Sequence, residues 1–149
     1  MQTASGQDEK FMRAAIDEAH KALDRKEVPI GAVVVCDGVI VGRGHNLVET
    51  LGDATAHAEM QAITAATHRI GGKYLTECSL YVTVEPCVMC AGASAWSQVG
   101  RIVYGAADPK RGFLQSGGTV LHPKTTVTAG VLEEECGRLV SEFFKKLRE

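Results

Sequence analysis

Apolar residues recur near the start of the chain with the period of a helix. Phe11, Ala15, Ala19, Ala22 and Leu23 fall on one face, polar capping residues from Ser5 to Asp8 precede them, and Pro29 sets the far limit. The pattern then changes. Ala32 to Cys36 is an apolar, β-branched run, Asp37-Gly38 is a two-residue turn, and Val39 to Val41 returns, which predicts a hairpin. Leu47 to Thr55 reads as polar loop, with Thr55 placed to cap a helix from about Ala56 to Ile70 that Gly71-Gly72 stops. Leu80 to Val84 predicts a third strand. Pro86, pre-shaped for a first helical position, opens a helix rich in small residues, Ala91-Gly92-Ala93-Ser94-Ala95, which ends after Trp96. Arg101 to Tyr104 is a fourth strand, Asp108 to Gly118 is rich in turn residues, and Thr125 to Thr128 is a short fifth strand.

The last element has the clearest helical pattern. Leu132, Cys136, Leu139, Val140, Phe143 and Leu147 share a stripe, with Glu133, Glu134 and Glu135 in the first turn and Lys145, Lys146 and Arg148 in the last, as the helix dipole favours. Strands alternating with helices make an α/β domain, and the hairpin makes its sheet mixed rather than wholly parallel. At 149 residues the chain suits one domain, 1–149, large enough to bury a core without disulfide staples.

The formal net charge is −2, so any nucleic-acid contact has to come from local patches rather than from the overall field. No run approaches the roughly 18 apolar residues of a membrane span, and the first residues hold no apolar signal core. Five cysteines, an odd number, point to a reducing, cytoplasmic setting in which paired cysteines bind metal more often than they form disulfides.

Two fragments carry chemistry: His57-Ala58-Glu59 and Pro86-Cys87-Val88-Met89-Cys90, each at the opening of a predicted helix. Cys87 and Cys90, three apart, share one helix face and can grip one ion. Cys87 is expected in the first turn, where the positive helix end favours the thiolate that zinc binds. With His57 they give three protein ligands. Structural zinc sites close with four, whereas catalytic ones keep a position for water. No fourth ligand stands out, since Cys36, Cys78 and Cys136 read as inert core residues and His20, His45, His68 and His122 have no evident role. One Zn2+ per chain is predicted. Glu59 can reach the same ion's surroundings only from the helix mouth, facing a bound water whose pKa falls from about 15.7 towards about 7. There it can take up that water's proton and return it to a ring nitrogen and a departing amine. A lone His-x-Glu or Cys-x-x-Cys is weak, but the pair in this order matches the zinc nucleobase deaminases.

Val28-Pro29-Ile30-Gly31-Ala32-Val33, Thr55 to Met60, Leu80 to Ala93, Tyr104-Gly105-Ala106 with Asp108, and Gly130 to Cys136 resemble bacterial tRNA-specific adenosine deaminases, from about Phe11 to Leu147. The resemblance implies a three-layer α/β/α sandwich around a five-stranded mixed sheet, cytidine-deaminase-like. It implies a hydrolase acting on C–N bonds of cyclic amidines, converting adenosine to inosine at the wobble position of a tRNA anticodon. It also implies a homodimer that holds the anticodon stem-loop near the subunit boundary. Asn46 matches the family's base-contacting asparagine, and the Ala58 backbone a second base contact. Asp108 matches a residue near the ribose, and Phe143-Phe144 with Lys145 and Lys146 a C-terminal feature that touches RNA. Of the two phenylalanines, Phe143 fits the core stripe and Phe144 is the one expected free; Lys110 and Arg111 are candidates for a basic patch. Phe113 to Thr125 departs from the family pattern on the side that shapes RNA binding. Two other readings stay open: a deaminase of a free base or nucleoside (guanine, cytosine or cytidine) in the same fold, and a non-catalytic domain whose zinc is structural.

Overall fold

Helix α1 (Gly6–Asp24) starts at a capping box. The Ser5 hydroxyl accepts the Asp8 N–H at 3.3 Å, and the Asp8 carboxylate accepts the Ser5 N–H at 2.9 Å. This is a computed structural model that describes residues 5–117 and 119–149. The N-terminal and turn readings above that touch residues 1–4 and Gly118 lie outside the described residues. Strands β1 (Gly31–Cys36) and β2 (Val39–His45) form the predicted hairpin, with Asp37 and Gly38 both at positive φ, 53° and 75°. There follow α2 (Val48–Leu51), α3 (Ala58–Ile70), β3 (Cys78–Val84), α4 (Val88–Trp96), β4 (Arg101–Ala106), a 3-10 turn (Phe113–Ser116), β5 (Thr126–Thr128) and α5 (Glu133–Leu147).

The five strands lie in the order β2-β1-β3-β4-β5. β1 is antiparallel to both neighbours, while β3, β4 and β5 run parallel. Alternation along β1 divides the core. Val33 and Val35 face α1 and α5 with Phe11, Met12, Ile16, Tyr81, Val103 and Cys136. Ala32 and Val34 face α3 and α4 with Ala62, Ala66, Leu80, Val82, Ile102 and Phe113. Helices thus cover both faces of a mixed sheet, as expected for a three-layer α/β/α sandwich. Each large buried side chain contributes about 1.5–3 kcal/mol. Helix α3 rests directly on β2: a Cβ on Gly44 would fall 2.4 Å from the Ala58 carbonyl oxygen, so only glycine lets the start of α3 sit so close. Because β2, β3 and β4 share a direction, their C-terminal ends open on one edge of the sheet. That edge is where ligands of open α/β folds bind.

Several expectations need correction. The polar segment from Leu47 contains the short helix α2. Thr55 does not cap α3; its N–H and hydroxyl both go to Asp53 Oδ1 at 2.8 Å, and His57 takes the cap position without a side-chain cap bond. Pro86 and Cys87 lie before α4 rather than inside it. The Pro86 carbonyl accepts the Phe113 N–H at 2.9 Å and Cys87 makes an isolated bridge with Gly112, which holds both residues extended. Cys36 and Cys78, expected as free inert thiols, stand directly opposite each other on β1 and β3 with Cα atoms 4.4 Å apart and are joined by a disulfide. Cys136 is free and fully buried. Finally, α5 fully buries only Cys136, and Leu147 is 64% exposed, so its C-terminal half overhangs the sheet edge instead of completing the core.

Candidate active site

The ends of β2, β3 and β4 deliver their following residues to one cleft of about 1060 Å3. His57, at the N-cap of α3, points its Nδ1 at Cys87 Sγ, 3.6 Å away, and at Cys90 Sγ, 3.5 Å away. Among the described residues this is the one group of three such side chains whose ligand atoms all lie within 4.8 Å of one another. Zinc bonds of about 2.0 Å to nitrogen and 2.3 Å to sulfur, at tetrahedral angles, put ligand atoms about 3.5 Å apart, so the donor set fits zinc in both chemistry and spacing. Cys87 is half-buried and accepts hydrogen bonds from the Cys90 thiol and His57, which hold its own thiol down to about 4. Its neighbour Cys90, fully buried beside that thiolate, is pushed up. The two sulfurs thus share a proton that a bound cation displaces. His57 is raised by its bond to Cys87.

Glu59 lies in the first turn of α3, buried, with its carboxyl pushed up to about 7 by burial and by the Cys87 thiolate. It makes no ion pair among the described residues. A proton-accepting group near neutrality, beside three soft ligands and open to the cleft, is equipped for acid–base work on a bound substrate.

Asn46 follows β2 directly. Its N–H donates to the Ile30 carbonyl at 3.2 Å, its side chain is 8% exposed, and its Oδ1 has no partner within the protein. A buried amide oxygen left open toward a cleft is an acceptor waiting for a ligand's N–H. Ala58, at the first position of α3, carries one of the first-turn N–H groups that no intrahelical carbonyl reaches. Behind them, buried Glu27 accepts the Glu49 and Thr50 N–H groups at 3.1 and 2.6 Å and the Thr50 hydroxyl at 2.7 Å. Burial raises this carboxyl, but the Thr50 hydroxyl and the two amides outweigh it and hold it below its usual range. It fastens α2, and with it the segment carrying Asn46.

The opposite rim is the loop after β4. Asp108 Oδ1 accepts the Lys110 and Arg111 N–H groups at 3.1 and 3.0 Å, so this residue shapes the turn while its side chain faces the cleft. Lys110 and Arg111 are exposed on that rim, and Phe144, 40% exposed, lines the far wall edge-to-face with half-buried Phe143. Lys145 and Lys146 do not line the cleft; Arg148 and Lys26 do. Lys26, Glu27 and Glu85 are cleft residues that sequence reasoning missed, since no spacing singles them out. His45 lies against Glu18 with its Nδ1 at 3.1 Å.

Residues 5–106 match the family described as the cytidine and deoxycytidylate deaminase zinc-binding region. The tRNA-specific adenosine deaminase of Bacillus subtilis is 48% identical, over 95% of this chain and 91% of its own length. That of Aquifex aeolicus is 44% identical, over 94% and 95%. A structure solved in studies of A-to-I editing by tRNA:A34 deaminases superposes with a TM-score of 0.81 at 41% identity, covering 87% of this chain and 98% of that one. A guanine deaminase from Nitrosomonas europaea superposes equally well, TM-score 0.81, but at 26% identity over 94% and 85%. The chain therefore belongs to the cytidine and deoxycytidylate deaminase zinc-binding family, and within it to the tRNA-specific adenosine deaminases.

Proposed function

We propose that this protein is a zinc-dependent hydrolase that converts adenosine to inosine at the wobble position of a tRNA anticodon. The observation that carries it is the convergence of His57, Cys87 and Cys90 beside buried Glu59 on the floor of a cleft whose rim is basic and aromatic. His57 Nδ1 and the two Sγ atoms would hold one zinc per chain. Zinc bound there supplies an acidified water at neutral pH. The Glu59 carboxylate accepts that water's proton, delivers it to the purine N1 and then protonates the leaving nitrogen, so that a C6–N bond is exchanged for a C6–O bond and ammonia departs. The Asn46 side chain and the Ala58 N–H orient the base. Asp108 faces the sugar, Lys110 and Arg111 face phosphate, and Phe144 stacks on a loop nucleotide.

An anticodon loop presents unstacked bases, which a buried site can take up at small cost. The cleft volume stands at the upper edge of the roughly 300–1,000 Å3 typical of small-molecule sites, which supports a substrate larger than one base. Identities of 40–48% to tRNA-specific adenosine deaminases, against 26% to the guanine deaminase, point the same way.

The chain works as one deaminase domain in the cytoplasm and pairs as a homodimer. Trp96 on α4 is 86% exposed and Val88 on the same helix is also exposed, an apolar surface suited to a second copy. Among the described residues no helix is long and apolar enough to cross a membrane. The test is incubation with an anticodon stem-loop carrying adenine at the wobble position, the same loop with guanine there, and free guanine, cytosine and cytidine. Inosine from the first alone supports the reading. Turnover of a free base or nucleoside with the stem-loop inert overturns it.

A further inference from the structure

Glu85 is buried and makes none of the ion pairs found among the described residues. Both of its oxygens are nevertheless engaged. Oε1 accepts the Asp108 N–H at 3.0 Å, and Oε2 accepts the Leu114 N–H at 3.0 Å. These two amides bracket the loop that carries Asp108, Lys110 and Arg111, so one carboxylate clasps its beginning and its end. The chain on either side of Glu85 reinforces the clasp: its own N–H donates to the Ala106 carbonyl at 2.8 Å, and the Pro86 carbonyl accepts the Phe113 N–H at 2.9 Å.

The loop is shaped to receive this carboxylate. Gly112 has ordinary extended backbone angles, φ −63° and ψ 152°, so its glycine is not needed for conformation. It is needed for space. A Cβ there would lie 2.1 Å from Glu85 Cδ and from Oε2. Glu85 immediately precedes Pro86-Cys87, so the clasp joins the turn that presents a sulfur ligand to the rim that faces sugar and phosphate. No catalytic task falls to Glu85, because its oxygens are spent on the loop.

We propose that Glu85, seated against Gly112, is the positioning residue for substrate recognition, holding the Asp108–Leu114 rim at a set height over the zinc-ligand turn so that Asp108, Lys110 and Arg111 meet the RNA backbone together. The inference rests on the tRNA reading above. With the rim loosened, the RNA contacts are lost, whereas the groups that touch the reacting atoms, Glu59 and the three ligands, stay where they are.

The experiment compares wild type, Glu85→Gln, Gly112→Ala, Glu85→Ala and the Glu85→Ala/Gly112→Ala double variant, each loaded with zinc and assayed on the adenine-wobble stem-loop. An amide accepts only one of the two N–H groups, and a hydrogen bond to a charged group corresponds to about a tenfold effect or more. Glu85→Gln is therefore expected to raise KM about tenfold or more, with kcat changed less than about threefold and zinc content unchanged. The slope of binding against log salt should flatten by about 1 as phosphate contacts are lost. Gly112→Ala should do the same without altering any charge, and adding it to Glu85→Ala should cost nothing further, because the carboxylate it collides with is gone. If Glu85→Gln or Gly112→Ala leaves KM and the salt slope as in wild type, the clasp has no part in recognition. If kcat and zinc fall instead while KM holds, Glu85 serves the metal turn and the proposal is overturned. A wild-type enzyme inert on the stem-loop brings down the tRNA reading and this inference with it, an outcome distinct from a variant that merely matches an active wild type.

Discussion

Arg101, at the start of β4, grips both carboxylate oxygens of Asp8, in the first turn of α1, at 2.7 and 2.8 Å. The Tyr81 hydroxyl donates to the same carboxylate at 2.7 Å, and Arg101 also donates to Thr128 Oγ1 at 2.8 Å. One buried cluster thus ties the first helix to β3, β4 and β5, at the sheet edge opposite the zinc ligands. Burial alone would raise the Asp8 carboxyl, but the guanidinium, the tyrosine hydroxyl and the Ser5 amide outweigh it and hold it at about 2.

A carboxyl whose folded value lies below its unfolded one stabilises the fold above the unfolded value and ceases to do so as pH falls through the folded value. For Asp8 that window runs from about pH 4 down to about pH 2, and the contribution is on the order of 2 kcal/mol. Asp8→Asn removes it and leaves the Arg101 charge without its partner, so the melting temperature at pH 7 should fall by about 5 °C or more. The variant should also lose the steep part of the acid transition between pH 4 and 2. Thermal melts from pH 7 to 2 read both effects. An Asp8→Asn protein that follows the wild-type acid curve would falsify the assignment.

The metal triad gives a second outcome. Metal analysis should find one zinc per chain, and His57→Ala, Cys87→Ser and Cys90→Ser should each lose it together with activity and some stability, because the ligands join the starts of α3 and α4. Zinc binding should release protons, since the two sulfurs of the metal-free site share one while zinc takes thiolates; affinity then weakens as pH falls. Cys87→Ser retaining full zinc, or two zincs per chain, is the result that removes these ligands from the site.

The contrast between the triad and the clasp explains what could be read from the chain. Cys87 and Cys90 are three apart, and His57 and Glu59 flank one residue, so local spacing was enough to group them. The hairpin was legible for the same reason, its turn being encoded by two adjacent residues. Glu85 reaches Asp108 and Leu114, 23 and 29 positions away, through bonds to backbone amides that carry no residue signature. Glu27 reaches Glu49 and Thr50 in the same manner. The Cys36–Cys78 pair becomes visible only when the register of β1 against β3 is known. In α5 the stripe was read correctly as helix, but periodicity does not say what covers a face, and Val140 and Phe143 line the cleft.

Glu59→Gln separates proton transfer from metal binding. The amide keeps the shape of the side chain and loses its ability to accept a proton, so zinc content and melting should stay near wild type. Activity should fall by on the order of 10²–10⁴-fold, the usual contribution of a general acid–base. Deamination of the stem-loop and metal analysis on one preparation decide it. Loss of zinc in this variant makes Glu59 a ligand and removes it from the proton pathway.

Asn46 and Lys110 should fail in different ways, because one is built to read a base and the other to meet a phosphate. Asn46 brings a buried oxygen with no partner in the protein, so a substrate N–H completes a hydrogen bond that is otherwise missing. Asn46→Ala should lower kcat/KM by roughly tenfold to a few hundredfold, since such bonds are worth about 1–3 kcal/mol of discrimination. That loss should be the same at low and high salt, because no counterion is released when a neutral amide is removed. Lys110, exposed on the rim, acts through charge. Lys110→Ala should weaken stem-loop binding most at low salt and flatten the dependence on log salt by about 0.7, the expected value for one contact to a single strand. Zinc content should be unaffected in both. Measuring stem-loop binding and turnover from 50 to 300 mM salt, about the range over which such contacts are screened, tests the pair together. A salt-dependent defect in Asn46→Ala, or a salt-independent one in Lys110→Ala, reverses the roles assigned to the floor and the rim of the cleft.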